Sequence, residues 1–311
     1  MAVALLSHPD CLLHDMGVLH PESPARLRAI SAQLIAAGLD AVSRHYQAPM
    51  ATREQLERVH DAGYVDSIFQ SAPQRGLIAL DPDTLMNPHT LSAALHAAGA
   101  VVHAVDLVIR GEVASAFCNV RPPGHHAMRN RAMGFCFFNN VAVGTSHALT
   151  AHGIERVAIL DFDVHHGNGT ENIFATDPRV LLCSTFQHPF YPYSGTAPAQ
   201  SHIINVPMAA GTGGAEFRRI VETRWLPALH DFKPQLVLFS AGFDAHRDDE
   251  LGQLLFDAAD YFWVTAQIKT IADQYAHGRI VSVLEGGYDT DALGRCVVAH
   301  VQALSTMPLV K

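Results

Sequence analysis

The segment Asp161-Phe162-Asp163-Val164-His165 places two carboxylates and an imidazole at alternate positions. In extended chain, side chains at i, i+2 and i+4 point the same way, so Asp161, Asp163 and His165 form a row while Phe162 and Val164 pack behind it. Carboxylates crowded at a buried strand end repel one another and lose hydration, and a bound cation relieves both penalties. A hydrogen-bonded polar cluster without an ion is the blander alternative. Asp244, which ends Ser240-Ala241-Gly242-Phe243-Asp244, is the natural third ligand from across a crevice. Three protein ligands leave a position open for water, as catalytic sites do. Two Asp and one His make an oxygen-rich set that suits Zn²⁺, Fe²⁺ or Co²⁺.

Hydrolysis at such a metal needs a proton acceptor for water and a donor for the leaving group. His125 and His126, after Pro122-Pro123-Gly124, offer imidazoles that serve both purposes near pH 7. Asp161, left over from the metal row, is available to fix one tautomer, and Asn168 in Gly167-Asn168-Gly169-Thr170 to orient the other ring. In Glu285-Gly286-Gly287-Tyr288 the glycines let the backbone approach closely and turn a phenol inward, where its O–H faces a developing oxyanion. A histidine pair or a Gly-Gly-Tyr turn alone says little. Their position in the chain gives them weight.

Each cluster follows a short apolar run: Ala114 to Cys118, Val157 to Leu160, Val180 to Cys183, Leu236 to Phe239, and Ile280 to Leu284. Continuous rather than alternating, these runs suit strands of a parallel sheet covered by helices on both faces. In an open sheet of that kind the C-terminal strand ends lie along one edge, so five segments converge on one crevice. Helical segments alternate with the runs. Ser23-Pro24 reads as the start of a helix with Leu27, Ile30, Leu34 and Ile35 on its apolar face and Gly38 closing it. Thr52 with Gln55 forms a capping box. Longer helices are expected from Thr90 to about Arg110, Asn140 to about His152, and Asp257 to Tyr275. The predicted architecture is α/β, a single domain over residues 1–311 with an open parallel sheet.

Composition narrows the function classes. The chain has 311 residues, 49% hydrophobic and 16% charged, a globular rather than disordered balance. Its net charge of −9, with Lys only at 233, 269 and 311, argues against direct nucleic-acid binding and mildly favours a cationic substrate. No run approaches the ~18 apolar residues a membrane span needs, and the first residues lack a leader's basic and apolar regions. Five scattered cysteines without a C-x-x-C spacing indicate neither disulfides nor a thiolate site, so a cytoplasmic setting is expected. The unusual number is 20 histidines.

These motifs resemble the histone deacetylase superfamily, of the arginase/deacetylase fold. The likeness runs from about Pro21 to Tyr288 and rests on His20-Pro21-Glu22 with Arg26, Arg121 to His126, Gly134 to Asn139, Asp161 to Thr170, Ser240 to Asp244, and Glu285 to Tyr288. It implies metal ligation by Asp163, His165 and Asp244, usually of Zn²⁺. It further implies His126 as general base and acid, His125 with Asp161 as electrostatic partner, and Tyr288 as the donor polarising the carbonyl. A structural K⁺ is implied at backbone carbonyls of Asp161, Asp163 and His165 with Ser184. The family lines its channel with two aromatic rings, matched by Phe135, after Gly134, and by Tyr191 where phenylalanine is common. Asp83 falls about where a rim residue accepts hydrogen bonds from the substrate backbone. Asn168 and the Glu285-Gly-Gly-Tyr form resemble class II and bacterial members.

The expected activity is therefore hydrolysis of an acyl-lysine amide, in a peptide or a small acylated amine, with the oligomeric state open and a homo-oligomer allowed. An acetylpolyamine amidohydrolase is the nearest rival. Its acidic gate aligns here with Leu251, although Glu250 is adjacent. Binuclear ureohydrolases need more aspartates on these loops. A non-catalytic acyl-lysine-binding paralogue would usually have lost one of the histidines or the tyrosine, and none is missing.

Overall fold

The computed structural model describes residues 2–305. Ten strands run in chain order: β1 Val3–Ser7, β2 Arg44–Gln47, β3 Ile78–Asp81, β4 Thr84–Met86, β5 Ser115–Cys118, β6 Val157–Asp161, β7 Val180–Gln187, β8 Ile203–Met208, β9 Leu236–Ala241 and β10 Ile280–Leu284. Strands β3 and β4 form a small antiparallel hairpin, and the others build an eight-stranded sheet in the order β2-β1-β5-β10-β9-β6-β7-β8. Every pairing in that sheet is parallel.

The five apolar runs became β5, β10, β9, β6 and β7, five neighbours at the centre of the sheet, with every residue buried. Helices cover both faces, as continuous apolar strands require. Three sheet strands were not expected from sequence. β2 (Arg44-His45-Tyr46-Gln47) is a largely exposed edge with no apolar signal, and β8 is a half-buried edge. β1 is apolar enough, but it lies in the stretch tested for a leader.

The helices that position the site are α1 Ala25–Ala36, α2 Thr90–Ile109, α3 Asn140–Ala151, α4 Asn168–Phe174, α5 Ala258–Tyr275 and α6 Thr290–Leu304. Thr52 and Gln55 do form a capping box, and Gly38 takes φ +71° beyond α1. Two expectations at α1 shift. Pro24 rather than Ser23 occupies the N-cap, without a side-chain bond, and Ile35 is 63% exposed on the polar side of the helix. Helix α2 is long and apolar enough to cross a membrane, yet 78% of its most apolar window is buried inside the fold.

Many histidines prove to be core residues. His300 lies beneath the sheet, its Nδ1 2.6 Å from Thr265 Oγ1 and its Nε2 2.8 Å from Ser282 Oγ, edged by Phe117, Phe162, Phe239 and Phe243. Burial lowers its pKa to about 3, and burial likewise lowers His14 and His60 to about 4. The folded state thus binds fewer protons than the unfolded chain, whose histidines titrate near 6.5. The stabilisation is complete above that pH and is lost as pH falls from 6.5 towards 4. Each of the three is expected to remove about 2 kcal/mol between pH 7 and pH 5. Urea unfolding at the two pH values checks this, and an unchanged midpoint would refute it.

Candidate active site

Because β6 and β9 are paired neighbours, with Asp161 opposite Ser240, the loops leaving their tips meet. Asp163, His165 and Asp244 each offer one donor atom, all within 4.8 Å of one another. The extended row expected from sequence ends at Asp161, the last residue of β6. Beyond it, carboxylates bend the chain by taking its amides: Asp161 Oδ1 accepts from Asp163 N at 3.1 Å, Asp163 Oδ1 from His165 N at 2.8 Å, and Asp244 Oδ1 from Val164 N at 2.8 Å. A Cβ on Gly242 would overlap the Asp163 carboxylate, and one on Gly286 would overlap Asp244. Only glycines leave these oxygens their space.

The electrostatics of this trio call for a cation. Asp244 Oδ2 is buried without a hydrogen bond, 3.3 Å from His165 Nδ1. Burial, reinforced by Asp163, pushes Asp244 up to about 7. Against its burial, His165 is raised to about 9 by Asp163 and Asp244. Two carboxylates therefore draw positive charge to one buried point, and two oxygens with one imidazole fit a divalent ion there.

The loop after β5 carries the histidine pair, rings 4.0 Å apart. Their environments drive them in opposite directions. His125 Nδ1 is 3.0 Å from Asp161 Oδ2, and despite burial Asp163 and Asp161 raise it to about 10, which makes it an imidazolium. Burial, then the charges of His125 and His165, hold His126 well below its ordinary value. Its Nδ1 lies 2.7 Å from Asn168 Oδ1, an acceptor, so Nδ1 carries the hydrogen and Nε2 the lone pair. Asn168 begins α4 rather than sitting in a turn, as expected earlier. Gly134, at φ +56°, makes room for the His126 ring, which a Cβ would strike.

Tyr288, after β10, keeps its proton because burial raises its pKa well above 10. Its ring lies 4.9 Å from the Arg26 guanidinium and 5.9 Å from Phe135. Arg26 Nε donates to Gly287 O at 2.6 Å and Nη2 to Glu285 O at 2.5 Å, so α1 grips the loop on both sides of Gly286. Asp249 Oδ2 accepts from Tyr288 N and Asp289 N.

Two further anchors lie beneath. Glu285 Oε2 accepts from Gly124 N at 2.6 Å and His125 N at 3.1 Å, and its Oε1 accepts from Ser240 Oγ. Glu22 takes both oxygens to Arg121, faces Arg26 Nη1 at 3.2 Å and His14 Nε2 at 3.5 Å. All four side chains are buried. Burial alone would raise Glu22, but Arg121, His14 and Arg26 outweigh it and hold the carboxyl at about 2. Glu22, Arg26, Arg121 and Glu285 were visible only as motif letters; no pattern in the chain showed that they tie three loops together.

A pocket of about 250 Å³ opens over the site. His125, His126, His165, Gly286 and Tyr288 line its depth, with Phe135 and Tyr191 on its walls. Tyr191 meets the His126 ring edge-on at 5.3 Å, while Phe190, not singled out from sequence, stacks on His165 at 5.4 Å. The hairpin β3–β4 brings Asp83 to the pocket, and Thr84 Oγ1 both donates to Asp83 Oδ1 and accepts from Phe135 N, at 3.0 Å each. Leu251 and Glu250 also line it. Ser184 lies opposite Asp161 on β7, its Oγ buried without a hydrogen bond. The structure thus gathers the clusters that follow β5, β6, β9 and β10 at one edge, whereas β7 runs on through Ser184 to Gln187.

Comparison with known proteins agrees with this arrangement. The histone deacetylase domain family matches residues 20–304. The histone deacetylase-like amidohydrolase of Pseudomonas aeruginosa is 38% identical over 92% of the chain and 77% of that protein. A probable deacetylase of Archaeoglobus fulgidus is 35% identical over 94% and 82%. Among solved structures, the HD domain of HDA15 superposes with a TM-score of 0.92 at 34% identity, over 99% of this chain and 90% of that one. With the family match spanning most of its length and the same sheet beneath it, this chain belongs to the histone deacetylase family, whose members include deacetylases and amidohydrolases.

Proposed function

We propose that the protein is a metal-dependent deacylase that hydrolyses the amide of an N-acyl-lysine, in a peptide or small acylated amine, to a free amine and a carboxylate. The observation that carries this reading is one pocket lined by His126, His165 and Tyr288, in which the His165 donor atom lies within 4.8 Å of those of Asp163 and Asp244. Asp163, His165 and Asp244 would hold the ion, and the unpartnered Asp244 Oδ2 supports that assignment. Bound there, Zn²⁺, the ion usual for this family, supplies Lewis acidity towards water and the acyl oxygen.

The chain's own groups do the rest. His126 Nε2 takes a proton from the attacking water, and its protonated form passes that proton to the departing amine. Tyr288 O–H donates to the acyl oxygen as negative charge develops on it. Asp161 fixes the His125 ring beside His126, and burial with that neighbour keeps the His126 pKa low, so the base returns to its neutral form after each cycle. Phe135 and Tyr191 hold the methylene chain, and Asp83 receives amide N–H groups at the lip. A K⁺ at the carbonyls of Asp161, Asp163 and His165 with Ser184 is part of the same proposal; the unpartnered Ser184 Oγ supports it.

Glu250 at the pocket favours a second reading, in which it meets the distal ammonium of an acetylpolyamine. Leu251 beside it is apolar, and acyl-lysine peptides are the expected substrates. A panel of acetyl-lysine peptides, longer acyl-lysine peptides and N-acetylated polyamines decides between them. Higher kcat/KM on acetylputrescine or acetylcadaverine than on any peptide would overturn the substrate assignment, and no turnover anywhere in the panel with an ion bound would favour a binding module.

A further inference from the structure

Among the described residues, two groups outside the active site also bring three ligand-type side chains together: His8, Asp10 and His96, and Asp106, His147 and His152. They are not equivalent. The His8 and His96 rings lie face to face, centroids 3.4 Å apart and 10° from parallel. His8 Nδ1 already accepts from Asp10 N, and Asp10 Oδ2 accepts from Ser92 Oγ on α2, so two of the ligand-type atoms already have partners. This first cluster is explained by its own hydrogen bonds.

In the second, three atoms converge on one point. Asp106, on α2, presents a single oxygen, Oδ1, to His147 Nε2 at 2.8 Å and His152 Nε2 at 2.6 Å. The rings are almost perpendicular, 85°, with centroids 5.2 Å apart, an edge-inward arrangement rather than a stack. His147 belongs to α3 and is 8% exposed; His152 caps that helix. His147 Nδ1 is buried and has no partner, so the ring's polar contact is made at the convergence point alone. Arg110, itself mostly exposed, approaches only the other oxygen, Oδ2, at 3.5 Å, and leaves Oδ1 to the imidazoles. These separations are shorter than in the Asp163, His165 and Asp244 set, where His165 Nδ1 is 3.0 and 3.3 Å from its carboxylates.

We propose that Asp106, His147 and His152 form a second, peripheral site for a divalent transition ion of the zinc class, with water completing its coordination. Two imidazoles and one carboxylate suit Zn²⁺, Ni²⁺ or Cu²⁺ and disfavour Mg²⁺ and Ca²⁺, which take oxygen ligands. An ion there cross-links the C-terminal turns of α2 and α3. Its role is to pin those two helices, and none of the three residues lines the substrate pocket.

The test uses the full chain with Zn²⁺ alone, in equilibrium dialysis and thermal unfolding, comparing wild type, Asp244→Ala, His152→Ala and the double variant. Asp244→Ala isolates the peripheral site, so the outcome does not depend on the active-site assignment. It is expected to bind one Zn²⁺, with a rise in unfolding temperature on addition of the ion. The double variant should lose that ion, with affinity weakened by more than about 100-fold, since even partners one step removed from a metal are worth 10–100-fold. His152→Ala alone should hold one ion fewer than wild type and deacylate at the wild-type rate. Equal ion content in Asp244→Ala and the double variant, or in wild type and His152→Ala, would overturn the proposal.

Discussion

Replacing His126 by alanine is expected to lower kcat by about 10²–10⁴-fold while leaving the bound ion in place, the range that general acid–base groups contribute. The expectation follows from opposed environments. Burial, with His125 alongside, keeps the His126 pKa well below its ordinary value, and Asn168 holds its Nδ1–H so that Nε2 is left free. His125 is a poor substitute, because its Nδ1 lies 3.0 Å from Asp161 Oδ2 and the neighbouring carboxylates raise its pKa, so it holds its proton. Asp244→Ala is the informative contrast: it should abolish turnover together with the active-site ion, since it removes the one ligand contributed by β9's loop. Steady-state rates with metal analysis on both variants separate the roles. Full activity in His126→Ala would remove it from proton transfer, and an unaltered ion count in Asp244→Ala would remove that residue from the ligand set.

The second large effect concerns the fold. Arg121→Ala should destabilise the protein by about 3–5 kcal/mol, because it strips Glu22 of its two-pronged buried partner, leaving only the charge of Arg26 opposite the carboxylate, and strips two backbone carbonyls of their donor. Glu22 gives both carboxylate oxygens to Arg121, and Arg121 Nη1 also donates to the carbonyls of Cys11 and His14 at 2.8 and 2.9 Å. Against a total stability of about 5–15 kcal/mol, this loss lowers the urea midpoint markedly. An Arg121→Ala midpoint within error of wild type would show that the network contributes little.

How much of this was legible in the chain depended on which strands are enclosed. Val157–Leu160 and Ile280–Leu284 announce themselves because strands covered on both faces need apolar residues at every position. Arg44–Gln47 does not, because an edge strand draws its pairing from backbone amides and asks little of its side chains. The site was legible where function demands particular chemistry: Asp163, His165, Asp244, His126 and Tyr288 are polar groups at the ends of apolar runs. The supporting groups were harder. Arg26 and Glu285 act through backbone carbonyls and amides 261 and 161 residues away in sequence, and nothing in local spacing encodes such a separation. Phe190 was passed over for its neighbour, since adjacent aromatics in Phe190-Tyr191 give no hint of which one lies flat on a metal-ligand candidate. The bend after Asp161 replaced the straight row because carboxylates beside free amides capture them.

The strand order has a consequence for how the molecule is made. Among the described residues β10 is the last strand in sequence, yet it sits between β5 and β9. Until about residue 284 has emerged, the nascent chain presents two unpaired apolar edges facing a gap, the kind of surface that invites pairing with other chains. Insertion of that strand closes the gap and delivers Tyr288 in one event, so a polypeptide that stops short of it, about a tenth from the end of the 311 residues, is sticky and lacks the phenol assigned to the acyl oxygen.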